Sequence, residues 1–497
     1  MKKKAYVNNH LDADGKYLRK NKIDRYLYSP VNIIVWAVLT FSAFVCSVEL
    51  IYYSLITAYA IFVIAFCYDF VPIMPLFTLC YVIVSKENNP GIYSQGIFSG
   101  ESANYILSLA GLVIVALCLR VSFDKSIGWK VFIKKKRVLL PGIVVLGLSY
   151  LLSGIRSSHY LECVKQNLIF AFIQVAALSL LYVVFSATVK WERFDVDYFA
   201  TIGLMTGIVV VFELIWIYIS QDVIVHGTIV RSRIWTGWGV YNNIGAMIAL
   251  AIPFAFYFAC KKRNSGMYLL LAMALMGGVI FSCSRGSIVC AVISFLISFI
   301  YTFIHAEHKK NFRVFSGVLC AILVVGGIMY IDSLKEIFKR VPDILDMVDG
   351  EILLNDSGRT GIYVEGWKAF LNNPIFGQSF YSIDYKPPDF SELEAFSSFF
   401  PARWHNTIIQ MMASCGSVGL LAYLFHRYQT IRLFMKKRTT INSYIGIYIL
   451  TLLCLSMVDC HFFNVGPTLF YSMALAVMEY GTSKCQVNAN HIKNIPA

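Results

Sequence analysis

The run MYLLLAMALMGGVIFSCSRGSIVCAVISFLISFIYTFIH, Met267 to His305, decides the architecture. Arg285 is its one Asp, Glu, Lys or Arg. A bilayer core takes about 20 apolar residues per helix. The run therefore reads as two spans, 267–282 and 287–305, joined by a break at Ser284-Arg285-Gly286-Ser287. The rest of the 497 residues has the same texture: 58% apolar, 14% charged, with a mean hydropathy of +0.63. Soluble chains carry about a quarter charged residues. A water-soluble enzyme, a disordered protein and a nucleic-acid binder are thereby excluded. The net charge of +14 sits in short runs between apolar stretches, as lysine does in membrane proteins.

Further spans are expected at 103–122, 138–154, 166–186, 198–220, 243–260, 314–331, 406–425, 442–459 and 468–480. The stretch 31–85 reads as three helices broken near Glu49 and Asp69, because only then does the Lys134–Arg137 cluster fall inside. The fold class is an all-α polytopic membrane protein with about 14 transmembrane helices, or 12–13 if 31–85 holds a short or re-entrant helix. Its parts are a basic cytoplasmic tail (1–30), spans (31–331), one large extracytoplasmic loop (332–404), further spans (405–482) and a second cytoplasmic tail (483–497). Residues 427–438 read as a basic cytoplasmic loop. The polar N-terminus running to Pro30 argues against a cleavable signal peptide. The 13 cysteines lie mostly within or beside apolar runs and show no Cys-x-x-Cys pair, so they read as small buried side chains; no metal and no cofactor are expected. No internal repeat marks an inverted-repeat transporter.

The large loop holds Tyr363, Trp367, Tyr381, Tyr385 and Trp404, with an amphipathic helix pattern around Thr360–Leu371. Such a loop is expected to be ordered and packed on the membrane face.

Arginine is over-represented outside: Arg156, Arg231, Arg233, Arg285, Arg340, Arg359 and Arg403. Topology disfavours cations there, and guanidinium grips phosphate through paired hydrogen bonds. The bland alternative is loop ion pairing, since the large loop is rich in carboxylates. Arg285 is the strongest case. Gly286 lets the chain turn, and the next helix points its free N–H groups at whatever Arg285 binds; Ser284 stands beside it. The stretch from Arg231 and Arg233 through Gly237 and Gly239 to Asn242-Asn243 precedes another span, which one of the two amides is expected to cap. Arg403-Trp404-His405-Asn406 leads into a helix carrying Gln410, Gly416 and Gly419; the glycines read as packing contacts. His405 sits at the depth of a polar headgroup, where it can accept a proton or serve as a cap.

Four features together resemble the O-antigen ligase and polymerase family of bacterial polysaccharide assembly. They are Arg233…Gly237…Asn243, Ser284-Arg285-Gly286, Ser357-Gly-Arg359-Thr…Trp367…Asn373-Pro374-Ile-Phe-Gly377, and His405-Asn406-x-x-x-Gln410…Gly416-x-x-Gly419. The resemblance implies a GT-C-like membrane glycosyltransferase in the bacterial cytoplasmic membrane, both termini cytoplasmic and active site outward. It would be metal-independent and use no nucleotide sugar. The donor would be a polyprenyl-diphosphate-linked glycan, and the acceptor a glycan or glycolipid hydroxyl. Membrane lipids, a flippase and a chain-length regulator are implied partners; nucleic acid is not. By the same resemblance, Arg233 and Arg285 hold the diphosphate, Arg359 lies over it, and His405 takes or orients the acceptor proton. Arg231, Arg403, Asn406, Gln410 and Ser284 are expected to line the substrate. The family often shows Asn-Pro-Asn where this chain has Tyr241-Asn242-Asn243. The competing readings are a lipid-linked oligosaccharide flippase or other polysaccharide transporter, which calls for charges deep in several helices, and a non-catalytic scaffold. Glu213 is the main deep charge.

Overall fold

The computed structural model describes residues 22–67, 69–86, 100–123, 135–157, 160–226, 228–329, 345–348, 351–354, 359–380 and 404–481. The helices are α1 (Lys22–Leu27), α2 (Pro30–Cys46), α3 (Glu49–Phe66), α4 (Met74–Leu79), α5 (Gly100–Phe123), α6 (Leu140–Leu151), α7 (Tyr160–Val175) and α8 (Leu181–Thr188). They continue with α9 (Val196–Ser220), α10 (Tyr241–Lys261), α11 (Ser265–Phe281), α12 (Arg285–His305), α13 (Lys309–Met329), α14 (Arg359–Asn372), α15 (Thr407–Lys436), α16 (Thr440–Val458) and α17 (Val465–Tyr480). A π turn, Ala176–Leu180, joins α7 to α8. Three two-stranded antiparallel ribbons interrupt the loops: β1 (Ile224–Val225) with β2 (Thr228–Ile229), β3 (Trp235–Thr236) with β4 (Gly239–Val240), and β5 (Leu345–Val348) with β6 (Glu351–Leu354).

The protein is a helical membrane protein. Among the described residues, 8 helices are long and apolar enough to cross a bilayer: α3, α5, the α7–α8 unit, α9, α10, α12, α15 and α16. Shorter apolar helices are α2, α6 and α11. The expected count of 14 is not reached. The stretch 31–85 does break near Glu49 and Asp69, but its third part is no spanning helix. Pro72 and Pro75 confine it to a 3-10 turn (Val71–Ile73) and the six-residue α4.

Helix α10 is apolar on all sides and lies buried at the centre, packed on α9, α11, α12 and α16. Its neighbours start at definite caps. The Asp195 carboxylate accepts from the Asp197 N–H, and the Thr439 hydroxyl from the Asn442 N–H.

Helix α15 departs from expectation twice. Residues 427–438 are not a loop, because the helix runs on to Lys436. Some polar side chains at this end meet protein: Gln429 Oε1 accepts from the Gly142 N–H at 2.8 Å, and His426 Nε2 lies 2.9 Å from the Tyr471 hydroxyl, while Arg432, Lys436, Lys437 and Arg438 are exposed. Arg427 is buried, its guanidinium over the rings of Tyr423, Phe462 and Tyr471. The second departure is a break. Gly416 has φ 66° and ψ −161°, a conformation open to glycine alone. It is not a packing contact between continuous helices. The backbone groups freed there are taken by residues 374–379. The Gln378 and Ser379 N–H groups donate to the carbonyls of Ala413 (2.7 Å) and Ser414 (3.1 Å). The Ser417 and Val418 N–H groups donate to Pro374 (2.8 Å) and Ile375 (3.2 Å). The Gly154 N–H adds a bond to Phe376 at 2.9 Å, and the Ser153 hydroxyl one to Ser414 at 2.6 Å. Hydrocarbon supplies no such partners, so a broken membrane helix must find them in protein.

A Cβ at 416 would stand 2.3 Å from the Ile375 carbonyl oxygen. Gly416→Ala is expected to cost on the order of 1–3 kcal/mol and to lower the thermal midpoint in detergent. Gly317→Ala, whose added Cβ meets nothing within 4 Å, is expected to leave it unchanged or slightly raised.

Candidate functional site

Four elements meet at one end of the bundle. The turn between α11 and α12 is the first. Ser284 caps α12, its hydroxyl accepting from the Ser287 N–H at 3.4 Å and donating to Asn242 Oδ1 at 2.8 Å. The α12 turn is thus stitched to the start of α10. Gly245 completes the seam, for a Cβ there would lie 2.5 Å from Ser282 Oγ. Asn243 Oδ1 accepts from the Val240 N–H at 3.3 Å, so one amide closes the helix start and the other reaches the turn.

The second element is the strap from Asp222 to Val240, folded into the two small ribbons β1–β2 and β3–β4. It delivers Arg231 with its guanidinium 4.0 Å over the Tyr241 ring. Burial raises the pKa of the Cys283 thiol, while the Tyr218 hydroxyl and the nearby Arg231 guanidinium pull it down. Arg233 is exposed and donates to the Asp222 carbonyl at 2.8 Å. Behind the strap, Glu213 is fully buried, its Oε2 accepting from Trp238 Nε1 at 3.1 Å. That carboxylate anchors the β3–β4 ribbon.

The third element joins α16 to α12. Gly286 packs on Val458: a Cβ at 286 would be 3.1 Å from the Val458 Cβ. The next residue, Asp459, places Oδ1 3.2 Å from His405 Nδ1. The Ser-Arg-Gly turn and His405 are therefore brought to the same end through two consecutive residues of one chain. His405 itself has φ 49°, a left-handed turn that aims its ring at Asp459. Asn406 caps α15, accepting from Ile408 (2.9 Å) and Ile409 (3.2 Å), and donates to the Met457 carbonyl at 3.1 Å.

The fourth element is α14, whose buried Gly366 meets Ile409 and Trp404. The Tyr363 hydroxyl donates to the His405 carbonyl at 3.3 Å. Arg359 stands one helical turn before Tyr363, on the same side of α14.

Arg285 stands at the start of the α12 turn. Its Nε and Nη1 are buried and have no hydrogen-bond partner among the described residues. It is the first residue of α12, where the helix dipole adds positive charge. The Nε of Arg231 is also buried and unpartnered among them. None of Arg231, Arg233, Arg285 or Arg359 is ion-paired with a described residue. Ionic loop contacts do not account for them there.

Not every expected residue faces this opening. Gln410 is buried, with Oε1 accepting from the Trp404 N–H at 3.1 Å and the Cys460 thiol at 3.3 Å, and Nε2 donating to Ser414 at 2.9 Å. It braces the turn that carries His405. Asn406 and Ser284 likewise spend their polar atoms on the frame. Arg340 and Arg403 lie outside the described residues. Sequence reading missed Asp459, and it named Asn242, Ser287 and Tyr363 without the contacts they make here. Asp459 carries a signal of its own, a lone carboxylate just past the end of an apolar span in Met457-Val458-Asp459-Cys460.

Residues 270–424 match the family model described as O-Antigen ligase. That segment, about a third of the chain, resembles the O-antigen ligase family. It carries Arg285, Arg359, His405 and the Gly416 break; the strap bearing Arg231 and Arg233, and Asp459, lie outside it. A search of curated proteins finds no match.

The Gly286–Val458 contact is directly testable. In a background lacking the other cysteines, Gly286→Cys with Val458→Cys is expected to form a disulfide, since the Cβ separation is near the bonded range of about 3.5–4.5 Å. With the chain cut between residues 330 and 403, the halves should stay joined until reduced; separation without reductant would refute the packing.

Proposed function

We propose that the protein is a membrane glycosyltransferase. In this reading it moves a glycan from a polyprenyl diphosphate to an acceptor hydroxyl outside the cytoplasmic membrane, as a polysaccharide polymerase or ligase. The carrying observation is Arg285: a half-buried guanidinium with two nitrogens unpartnered among the described residues at a helix N-terminus, across a seam from an Asp-paired histidine. Two positive sources without an anion call for one. The match to the O-antigen ligase family supports a lipid-linked glycan as its source.

The chemistry follows from the geometry. Arg285, Arg231 and the α12 N-terminus take the diphosphate, and Arg233 and Arg359 extend the cationic rim. As the sugar C1–O bond to phosphate breaks, negative charge grows on the departing diphosphate. Fixed guanidinium groups stabilise that charge more than the ground state. Asp459 holds His405 Nδ1 protonated, which leaves Nε2 free to take the acceptor proton as the new C1–O bond forms. Single displacement inverts the anomeric centre. No metal is required in this scheme. Asn406, Gln410 and Ser284 position the reacting groups.

Purified protein with a polyprenyl-diphosphate glycan, an acceptor, no nucleotide sugar and a chelator is expected to make product. Arg285→Ala should lower kcat about 10²–10³-fold, and His405→Ala about 10²–10⁴-fold. Asp459→Asn should fall between them and wild type. Undiminished product from folded Arg285→Ala and His405→Ala would remove the assignment. Carrier movement across vesicles without transfer would favour the flippase instead. Retained anomeric configuration would reject single displacement.

A further inference from the structure

The helix α14 has three faces, not two. Gly366, Ala369 and Ile362 point one way, onto α15 and Trp404. Glu365 and Lys368 occupy a polar flank, paired at 2.7 Å and open to solvent. Between them runs a third stripe at helical spacing: Val364 (48% exposed), Trp367 (48%) and Leu371 (57%), continued past the helix end by Ile375 (49%). Water disfavours such a contiguous apolar stripe, and no described residue covers it.

We propose that this stripe is seated in the interfacial zone of the bilayer leaflet at the end of the bundle that carries Arg285 and His405. The occupant is lipid, argued from continuity. The stripe flanks the start of α15, itself a spanning helix, whose Ile408 is exposed on its first turn. A helix with one side on protein, one apolar and one charged fits the rim where protein, acyl chain and water meet. Trp367 has the amphipathic ring that such a level favours. The seat gives α14 a depth reference, and the Tyr363–His405 bond hands that reference to the histidine. Arg359 is then held at the level of lipid headgroups. The seat does not depend on the chemistry assigned to Arg285 and His405, and its test reads no activity.

Full-length protein is placed in nanodiscs of phosphatidylcholine that is unbrominated, brominated at carbons 6 and 7, or brominated at carbons 11 and 12. The Trp367 emission is the difference between wild type and Trp367→Phe. Shallow bromines are expected to quench that difference at least about twofold, and deep bromines less. Equal difference emission in all three lipids would overturn the seat. Should Trp367→Phe fail to fold, Leu371→Trp reads the same stripe. Added emission quenched by shallow bromines supports the seat, and added emission indifferent to bromine overturns it.

Discussion

A membrane interior offers no water to a broken helix, and the architecture of the end that carries Arg285 and His405 follows from that constraint. Helix α15 is interrupted at Gly416, and the chain that repairs it, 374–379, comes from the large loop. The repair fixes where α14 ends, and α14 packs on the first turns of α15. The loop helix, His405 and the α15 N-terminus therefore form one rigid unit. The Asp459 and Met457 contacts attach that unit to α16, and Gly286 attaches α16 to the Arg285 turn. A histidine and an arginine far apart in sequence are placed by main-chain bonds at the break and by short side-chain and packing contacts to α16.

The electrostatics at that end are unbalanced by design. Asp459 is engaged with His405, and Glu213 with Trp238 behind the strap. The arginines are left without carboxylate partners among the described residues. An unpaired guanidinium near the hydrocarbon boundary is costly in isolation, and a bound anion offsets that cost. Another deep cation, Arg427, has aromatic faces and the Tyr471 hydroxyl around it, although its Nε and Nη2 also lack a hydrogen-bond partner among the described residues. Arg427 bonds the Tyr471 hydroxyl and Glu213 the Trp238 indole, and no ion pair joins the two.

Much of this was legible before any coordinates. The Ser284-Arg285-Gly286 break, the helix near Thr360–Leu371 and the interruptions near Glu49 and Asp69 all rest on local signals: turn residues, periodicity and isolated charge. What escaped reading depends on distant partners. Gly416 looked like a packing residue because nothing nearby in sequence announces that 374–379 will bond to it. Gln410 looked like a ligand because one partner, Cys460, becomes a neighbour only when α15 and α16 meet, and another, the Trp404 N–H, only when the chain turns back at His405. Asp459 was passed over because its role exists only beside His405, 54 residues away. Within 31–85 the prolines, a local signal, were outweighed by a charge-based topology, and the third part there is the short helix that the lower count of 12–13 allowed for.

The central claim is that Arg285 waits for a diphosphate while His405 serves the proton. Binding of a sugar-free polyprenyl diphosphate, measured by native mass spectrometry on wild type, Arg285→Ala and His405→Ala, separates the two roles. The account predicts binding weakened by at least about tenfold, or 1.4 kcal/mol, in Arg285→Ala and left near wild type in His405→Ala. Undiminished binding by folded Arg285→Ala would contradict it.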